Sequence, residues 1–181
     1  RSKKSLRLRF DNERKNETTM FAMGDMSNGQ LGDGAPTQDP FTKFPMRTIP
    51  VGVPPAESPL KGKFVTKILG GGATTYFLVG NEGLVFVSGY GLQGQLGIED
   101  TKDQTIPVMM NHGDVRDKFI TDIAVGNRHG LFLDSDGVAY ATGRGNEGQL
   151  ASGNTSSSNV PRRVSMELSS GEPTPKFRKI E

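Results

Sequence analysis

A glycine-rich motif that recurs along the chain constrains its fold more than any other feature. The motif occurs three times, at residues 21–32, 86–97 and 140–150. The second and third copies belong to a longer unit with a constant shift of 54 residues, in which, for example, Gly72 matches Gly126. Self-similarity at a fixed period of about 50 residues is the signature of blade-type repeats. The sequence therefore predicts an array of similar units.

Glycines at fixed places define the repeat. The chain has 24 glycines and 11 prolines, a composition that favours many tight turns and disfavours long helices. We expect the repeat glycines to be structural, because glycine alone adopts a positive φ without strain. They are Gly24, Gly29, Gly72, Gly83, Gly89, Gly91, Gly94, Gly126, Gly137, Gly143, Gly145 and Gly148.

Each unit contains a β-hairpin followed by a glycine-rich corner. In the third unit the apolar runs 130–133 and 138–142 flank an Asp-Gly turn, which is a strong hairpin signal. The segment 78–86 repeats this pattern one unit earlier. With a short strand before the hairpin and another around a proline after the corner, each unit provides about four strands. Four-stranded units repeated around an axis form a β-propeller. We predict an all-β partial propeller of about three four-stranded blades.

The same residues resemble the repeat of the regulator of chromosome condensation 1 family. That repeat contains a G-x-x-H corner, a glycine turn and an aromatic residue, followed by G-x-G-x-x-G-Q-L-G. The third unit fits almost completely, from Gly126-Asn-Arg-His129 to Leu150. Two departures stand out: Thr75 replaces the histidine of the second unit, and Met26 replaces a glycine of the first. The resemblance implies a ring of about seven blades.

Residues 1–181 form one propeller segment in this interpretation. Residues 34–63 are predicted to hold an insertion loop, although residues 48–51 echo the proline-containing strand of the other units. Residues 176–181 look like the start of a further repeat. Because three blades leave two open sheet faces, we expect the chain to be part of a larger ring; the alternative is a truncated arc that a partner stabilises.

A nucleotide-binding loop is the alternative interpretation of the glycine motif. G-x-G-x-x-G occurs at 89–94 and 143–148, and alone it would suggest a dinucleotide-binding turn. That turn requires a helix after it, and the sequence Gln95-Leu-Gly-Ile-Glu-Asp100 offers none. Recurrence at 54 residues also marks a structural corner.

The two histidines do not suggest catalysis. We expect His129 to hydrogen-bond to backbone at a blade corner, since buried polar groups are normally satisfied. His112 lies in a polar loop without partners at ligand spacing, and there is no cysteine, so no metal site is predicted. No nucleophile-elbow sequence occurs. We expect no catalytic residue and no cofactor.

Charge and hydropathy limit the partners. The formal net charge of +2 gives no broad field, so nucleic acid or chromatin would be contacted only through the basic N-terminus, residues 1–9. There Leu6, Leu8 and Phe10 alternate with arginines, as in a half-exposed strand. No apolar stretch approaches the roughly 18 residues of a membrane span, and we expect an intracellular protein, cytoplasmic or nuclear.

We predict a non-enzymatic scaffold that presents corner loops to another protein, possibly a small GTPase or a large assembly. The alternative, implied by the resemblance, is nucleotide exchange on a Ran-type small GTPase with chromatin docking. In that family's exchange factor, acidic or histidine side chains of the G-x-x-H corner reach the GTPase. Neither corner here, at 72–75 and 126–129, holds a carboxylate. The predicted contact residues are Tyr90, Gln93, Asn127, Arg128, His129, Arg144, Asn146 and Glu147.

Overall fold

The structure, a computed structural model, describes residues 6–11, 18–25, 27–35, 46–165 and 176–181. Within these ranges the chain forms eleven strands and one 3-10 turn, at Gly113–Val115. The strands are β1 (Leu6–Asp11), β2 (Thr18–Asp25), β3 (Met46–Val53), β4 (Val65–Gly71), β5 (Thr74–Val79), β6 (Leu84–Gly89), β7 (Gln104–Met110), β8 (Ile120–Val125), β9 (His129–Asp134), β10 (Ala139–Gly143) and β11 (Ser158–Arg163).

The strands form three antiparallel sheets in which neighbours in sequence are neighbours in space. Blade 1 contains β1-β2-β3, blade 2 contains β4-β5-β6-β7 and blade 3 contains β8-β9-β10-β11. Blades 2 and 3 have the predicted four strands, and the described residues of blade 1 provide three. The prediction of an all-β propeller segment is confirmed.

Glycine turns close the predicted hairpins. Gly83 between β5 and β6 has φ +65°, and Gly137 between β9 and β10 has φ +80°. In blade 3 the Asp134 carboxylate accepts hydrogen bonds from the backbone N–H groups of Asp136 and Val138, at 3.0 and 2.8 Å. The turn is thus fixed by its own side chain, as aspartate commonly does.

The hydrophobic core lies between blades. Because side chains alternate along a strand, β5 sends Tyr76 and Leu78 towards blade 3, and Phe77 and Val79 towards blade 1. The Tyr76 ring packs on Phe132 of blade 3 with centroids 5.7 Å apart. Each blade therefore buries its apolar faces only by stacking on its neighbours.

Small residues let the innermost strands β4 and β8 approach each other. A Cβ atom built on Gly71 would lie 2.3 Å from the Gly126 carbonyl oxygen, and one on Gly72 would lie 2.1 Å from that of Asn127. Any larger side chain would separate the two blades. On the same strands Lys67 Nζ lies 2.5 Å from Asp122 Oδ1.

The predicted insertion at 34–63 is not a loop throughout. Strand β3 occupies Met46–Val53, where the proline echo predicts a strand, because that segment pairs with β2. Residues 36–45 of the insertion, and residues 1–5 of the basic N-terminus, lie outside the described residues. Residues 6–11 form strand β1, as their alternation predicts.

Candidate functional site

The predicted contact residues share one end of the blades. Because the strands are antiparallel and consecutive, the β4–β5, β6–β7, β8–β9 and β10–β11 connections emerge at the same end, which we call the loop face. The hairpin turns at 81–83 and 135–137 lie at the opposite end, the turn face. The loop face brings together all eight predicted residues, in the connections 90–103, 126–128 and 144–157 or at the first residue of β9. Their contact with a partner stays a prediction.

The glutamine of each motif copy holds its own loop in shape. In every copy the side-chain oxygen accepts a hydrogen bond from the backbone N–H two residues earlier, at 2.9 Å for Gln30, 2.9 Å for Gln95 and 2.8 Å for Gln149. The leucine that follows is buried in each copy, at Leu31, Leu96 and Leu150. Gln-Leu is therefore a structural pair that fixes the loop to the core.

Further hydrogen bonds tie each loop to the neighbouring corner. In blade 2 the Tyr90 N–H donates to the Ala73 carbonyl at 2.9 Å, and the Gly91 N–H donates to Asp103 Oδ1 at 2.9 Å. The loop face is thus preformed. The equivalent bonds in blade 3 join Arg144 N–H to the Arg128 carbonyl at 2.9 Å and Gly145 N–H to Ser157 Oγ at 3.0 Å.

The G-x-G-x-x-G glycines make room for backbone. A Cβ on Gly89, which has φ +110°, would lie 2.2 Å from the Ala73 carbonyl oxygen. A Cβ on Gly91 would lie 2.3 Å from that of Lys102. In the described residues no α-helix follows Gly94 or Gly148. Since the space beside these glycines holds the chain itself, the motif is a structural corner and not a phosphate-binding loop.

The expected hydrogen bond from His129 to backbone is wrong. Its imidazole packs over Gly126, where an added Cβ would lie 2.1 Å from His129 Cε1. Among the described residues no hydrogen bond of this side chain occurs, and its half-burial lowers the pKa of His129. In the preceding blade, the Gln95 carbonyl accepts a hydrogen bond from the buried Tyr76 hydroxyl.

Thr75, the counterpart of His129, makes the bond that the histidine lacks. Its buried hydroxyl donates to the Gln30 carbonyl of blade 1 at 2.8 Å. The departure from the family pattern at this position therefore keeps an inter-blade hydrogen bond.

His112 lies beside a carboxylate on the outer edge of blade 2. Its Nδ1 is 3.4 Å from Glu99 Oε2, a distance that gives an ion pair only when the imidazole is protonated. The described residues contain no group of three or more His, Cys, Asp or Glu side chains that could hold a metal ion. In the same part of the chain, no helix is long and apolar enough to cross a membrane.

Sequence reasoning missed Leu92, which is 60% exposed at the tip of the β6–β7 loop. The aligned positions of the other two copies are Ser27 and Asn146. An apolar residue at a motif position that is otherwise polar was the available signal. A single exposed apolar side chain is common on protein surfaces, and only a contiguous apolar patch marks a binding site.

A cavity of about 330 Å³ lies on the turn face. Gly83, Met110, Asn111 and Phe119 are among its lining residues. Phe119 is 43% exposed, and its ring covers the hairpin turn at Gly83. None of the predicted contact residues lines this cavity, so it provides positions for control variants.

Comparison with known proteins agrees with this geometry. The family model of the Regulator of chromosome condensation (RCC1) repeat matches residues 82–133 and 136–181, and a second model of that repeat matches residues 120–149. Human E3 ubiquitin-protein ligase HERC2 is 32% identical over 150 residues, which are 81% of this chain and 3% of HERC2. The Arabidopsis thaliana ultraviolet-B receptor UVR8 is 30% identical over 58% of this chain and 23% of its own length.

A solved structure shows the same fold. Prp20p from Saccharomyces cerevisiae, reported with its binding properties to Gsp1p and histones, superposes with a TM-score of 0.67 and 18% identity. The superposition covers 82% of this chain and 34% of Prp20p. The chain thus spans about a third of that propeller and a small part of the curated relatives.

Proposed function

Because this chain belongs to the Regulator of chromosome condensation (RCC1) repeat family, we propose that it is a protein-interaction module that binds a partner through its loop face, without catalysis. The observation that best supports this proposal is that the loops of different blades share the same framework of hydrogen bonds. The same backbone bonds recur in blades 2 and 3, while the side chains that they present differ, as Tyr90 and Arg144 do at one motif position. A constant scaffold with variable side chains is suited to recognition.

Preformed loops make binding less costly. A loop whose backbone is already ordered avoids the cost of ordering it on association, so it retains more of the interaction energy. Tyrosine and arginine are the residues most often found to dominate interface energies. Tyr90, Arg128 and Arg144 occupy adjacent connections of the loop face.

The candidates for chemistry on this face all have structural roles. Backbone fills the space beside Gly89 and Gly91, and His129 packs on Gly126. Arg144 pairs with Glu147 at 2.8 Å. These contacts support a binding role over a catalytic one.

Nucleotide exchange on a Ran-type small GTPase is the alternative, supported by the shared fold with Prp20p. The corners 72–75 and 126–129 hold no carboxylate to compete for a lysine or magnesium ion of the nucleotide site. This favours binding alone by these blades. Adding the whole protein to a GTPase loaded with labelled nucleotide distinguishes the two, because accelerated release would support exchange.

Site-specific photo-cross-linking tests the proposal. We expect benzoylphenylalanine at Tyr90 or Asn146 of the whole protein to give discrete adducts with a partner protein in cells. Glu82 and Lys118 on the turn face are the matched control positions. Adducts from the turn-face positions alone, or no adduct from the loop face, would refute the proposal.

A further inference from the structure

Blade 3 departs from the repeat at the turn-face end of its outermost strand. The chain there reads Pro161-Arg-Arg-Val-Ser165, where blade 2 has Pro107-Val-Met-Met-Asn111. The blade fold therefore does not require arginine or serine at these positions. With Met166 next in the sequence, blade 3 carries the pattern R-R-x-S followed by an apolar residue. This is the pattern that arginine-directed serine kinases recognise.

The serine and both arginines of this pattern are exposed. Arg162, Arg163 and Ser165 all reach solvent. The Arg162 guanidinium lies 3.7 Å from Asp114 Oδ1, and its side chain is 59% exposed, so this ion pair holds the arginine only weakly. Among the described residues no hydrogen bond of the Ser165 hydroxyl occurs. Within this part of the chain the hydroxyl therefore gives up no bond when it reacts.

The site lies at the end of an edge strand. In its sheet β11 is the last strand and pairs with β10 alone. Beyond Arg163, two backbone bonds hold the chain, from Val164 N–H to the Ala139 carbonyl at 2.9 Å and from Ser165 N–H to the Ala151 carbonyl at 2.7 Å. The ends of edge strands open locally at low free-energy cost. The segment can therefore enter the groove of a kinase, which binds its substrate as an extended chain.

We expect this position to stay open when a further blade packs against blade 3. Its counterpart in blade 2 is Asn111, which lines the turn-face cavity although blade 3 packs against blade 2. The counterpart of Arg163 is Met109, which is 39% exposed in the same setting. Val108, the counterpart of Arg162, packs against the core between blades. An arginine at that position can extend its guanidinium past the core to solvent.

A second kinase pattern in the chain is excluded by the structure. Ser58-Pro-Leu-Lys61 matches the S-P-x-K sequence of proline-directed kinases. Ser58 is only 4% exposed, and its hydroxyl donates to the Pro107 carbonyl at 3.1 Å. The same hydroxyl accepts from the Leu60 N–H at 3.2 Å. A kinase cannot reach it in the folded chain, so exposure distinguishes Ser165 from Ser58.

We propose that Ser165 is a phosphorylation site for an arginine-directed serine kinase, which recognises Arg162 and Arg163 through carboxylates of its substrate groove. Arginine suits this recognition because its planar guanidinium binds a carboxylate bidentately. The site does not depend on the proposed function of the loop face, because it lies at the other end of the blade.

The phosphoryl donor is ATP. The Ser165 Oγ attacks the γ-phosphorus, so that a new Oγ–P bond forms. The bond from that phosphorus to the oxygen that bridges the β- and γ-phosphates breaks, and ADP leaves. The proton of the serine hydroxyl passes to the aspartate base of the kinase.

Phosphorylation of the whole protein in vitro tests the site. The protein is incubated with MgATP and the catalytic subunit of cyclic-AMP-dependent protein kinase, an arginine-directed serine kinase. Tandem mass spectrometry of the tryptic peptide that spans residues 164–176 then locates the phosphate. We expect it on Ser165 and not on Ser169 or Ser170, which lack the preceding arginines. A synthetic peptide of residues 159–170 is the sequence control.

Matched variants identify what the kinase recognises. R162Q/R163Q should lower kcat/KM about a hundredfold, because each lost charge-assisted pair changes affinity by about tenfold. R162K/R163K keeps the charges without the bidentate fork and should recover part of the rate. The control R116Q/K118Q removes two exposed cations of the turn face and should react as the unmodified protein does. Ser165→Ala should lose the phosphate, and a thermal melt shows that each variant is folded.

The outcomes decide both the acceptor and its recognition. Phosphate on Ser165 that depends on the two arginines would support the proposal. Phosphorylation of the peptide but not of the folded protein would overturn it, because the site would then be inaccessible. Equal rates for R162Q/R163Q and the unmodified protein, or phosphate on Ser169 or Ser170 in place of Ser165, would also overturn it. The loop-face cross-links test the proposed function separately, whichever result is obtained.

Discussion

Replacing Gly94 by alanine tests whether the repeat glycines hold neighbouring blades together. Gly94 has φ +76°, and its added Cβ would lie 2.6 Å from the Ser158 carbonyl oxygen and 2.7 Å from the Asn159 Cα of blade 3. Both atoms are backbone and cannot rotate away. Gly62 is the matched control, because it has φ +77° and a Cβ there meets no atom within 4 Å.

The two substitutions share one cost and differ in another. A left-handed backbone costs alanine roughly 1–2 kcal/mol, and reduced freedom of the unfolded chain returns about 0.4–1 kcal/mol. Gly62→Ala should therefore lower the free energy of unfolding by about 0–1.6 kcal/mol. Gly94→Ala should lower it by about 1–3 kcal/mol more, the usual cost of overpacking.

Urea unfolding followed by circular dichroism measures the difference. In a chain of this size each kcal/mol corresponds to about 2–4 °C in Tm, so a thermal melt gives an independent value. Equal destabilisation by Gly94→Ala and Gly62→Ala would show that the blades do not press on the motif glycine, and would refute the packing argument.

Gly148 extends the comparison to the far side of blade 3. It has φ +75°, and no described atom lies within 4 Å of its added Cβ. In the 181-residue chain Gly148→Ala should match Gly62→Ala. If a further blade packs there in the whole protein, the same substitution should become as costly as Gly94→Ala.

Two further predictions concern polar groups at the blade boundaries. The buried Thr142 hydroxyl lies 3.0 Å from the carbonyl oxygens of Gly94 and Ser158, whereas the Ser88 hydroxyl is buried without a partner among the described residues. Thr142→Val should lower the free energy of unfolding by about 1–2 kcal/mol, because it leaves two carbonyl groups without this donor. Ser88→Ala should leave the free energy of unfolding unchanged or raise it by up to about 1 kcal/mol. Urea titrations measure both, and equal destabilisation by the two substitutions would contradict the difference in their hydrogen bonding. Burial lowers the pKa of His129 below its ordinary value of 6.5, so the unfolded chain takes up a proton first and stability falls as the pH drops below about 6.5. His129→Gln should lose less stability than the unmodified protein between pH 7 and pH 5, and identical pH profiles would count against this.

The sequence allowed the strands to be predicted because their signals are local. The hairpin at 129–143 depends on an Asp-Gly turn between apolar runs, and both strands form as expected. The period of 54 residues then fixes how often that hairpin recurs. The close packing of the inner strands at Gly71 was also predictable, because small residues fit positions where strands crowd together.

The side-chain contacts of the site were less predictable because they depend on neighbouring blades. Among the described residues His129 forms no side-chain hydrogen bond and packs over Gly126, whereas its counterpart Thr75 donates to the Gln30 carbonyl of blade 1. No pattern within a single repeat contains these relations.

The motif divides its positions between two tasks, and this division explains why a binding surface can vary on a constant fold. Glycines face backbone at less than 3 Å from an added Cβ, as at Gly89 and Gly94, so almost any substitution there would displace a strand or a blade. Between them, Leu92 stands exposed where the next blade has Asn146, and the bond that closes the loop is the same in both blades, from Gly94 N–H to the Gly91 carbonyl and from Gly148 N–H to the Gly145 carbonyl. Partner specificity can therefore change at such positions with little effect on stability, because surface substitutions usually alter it by no more than about 0.5 kcal/mol.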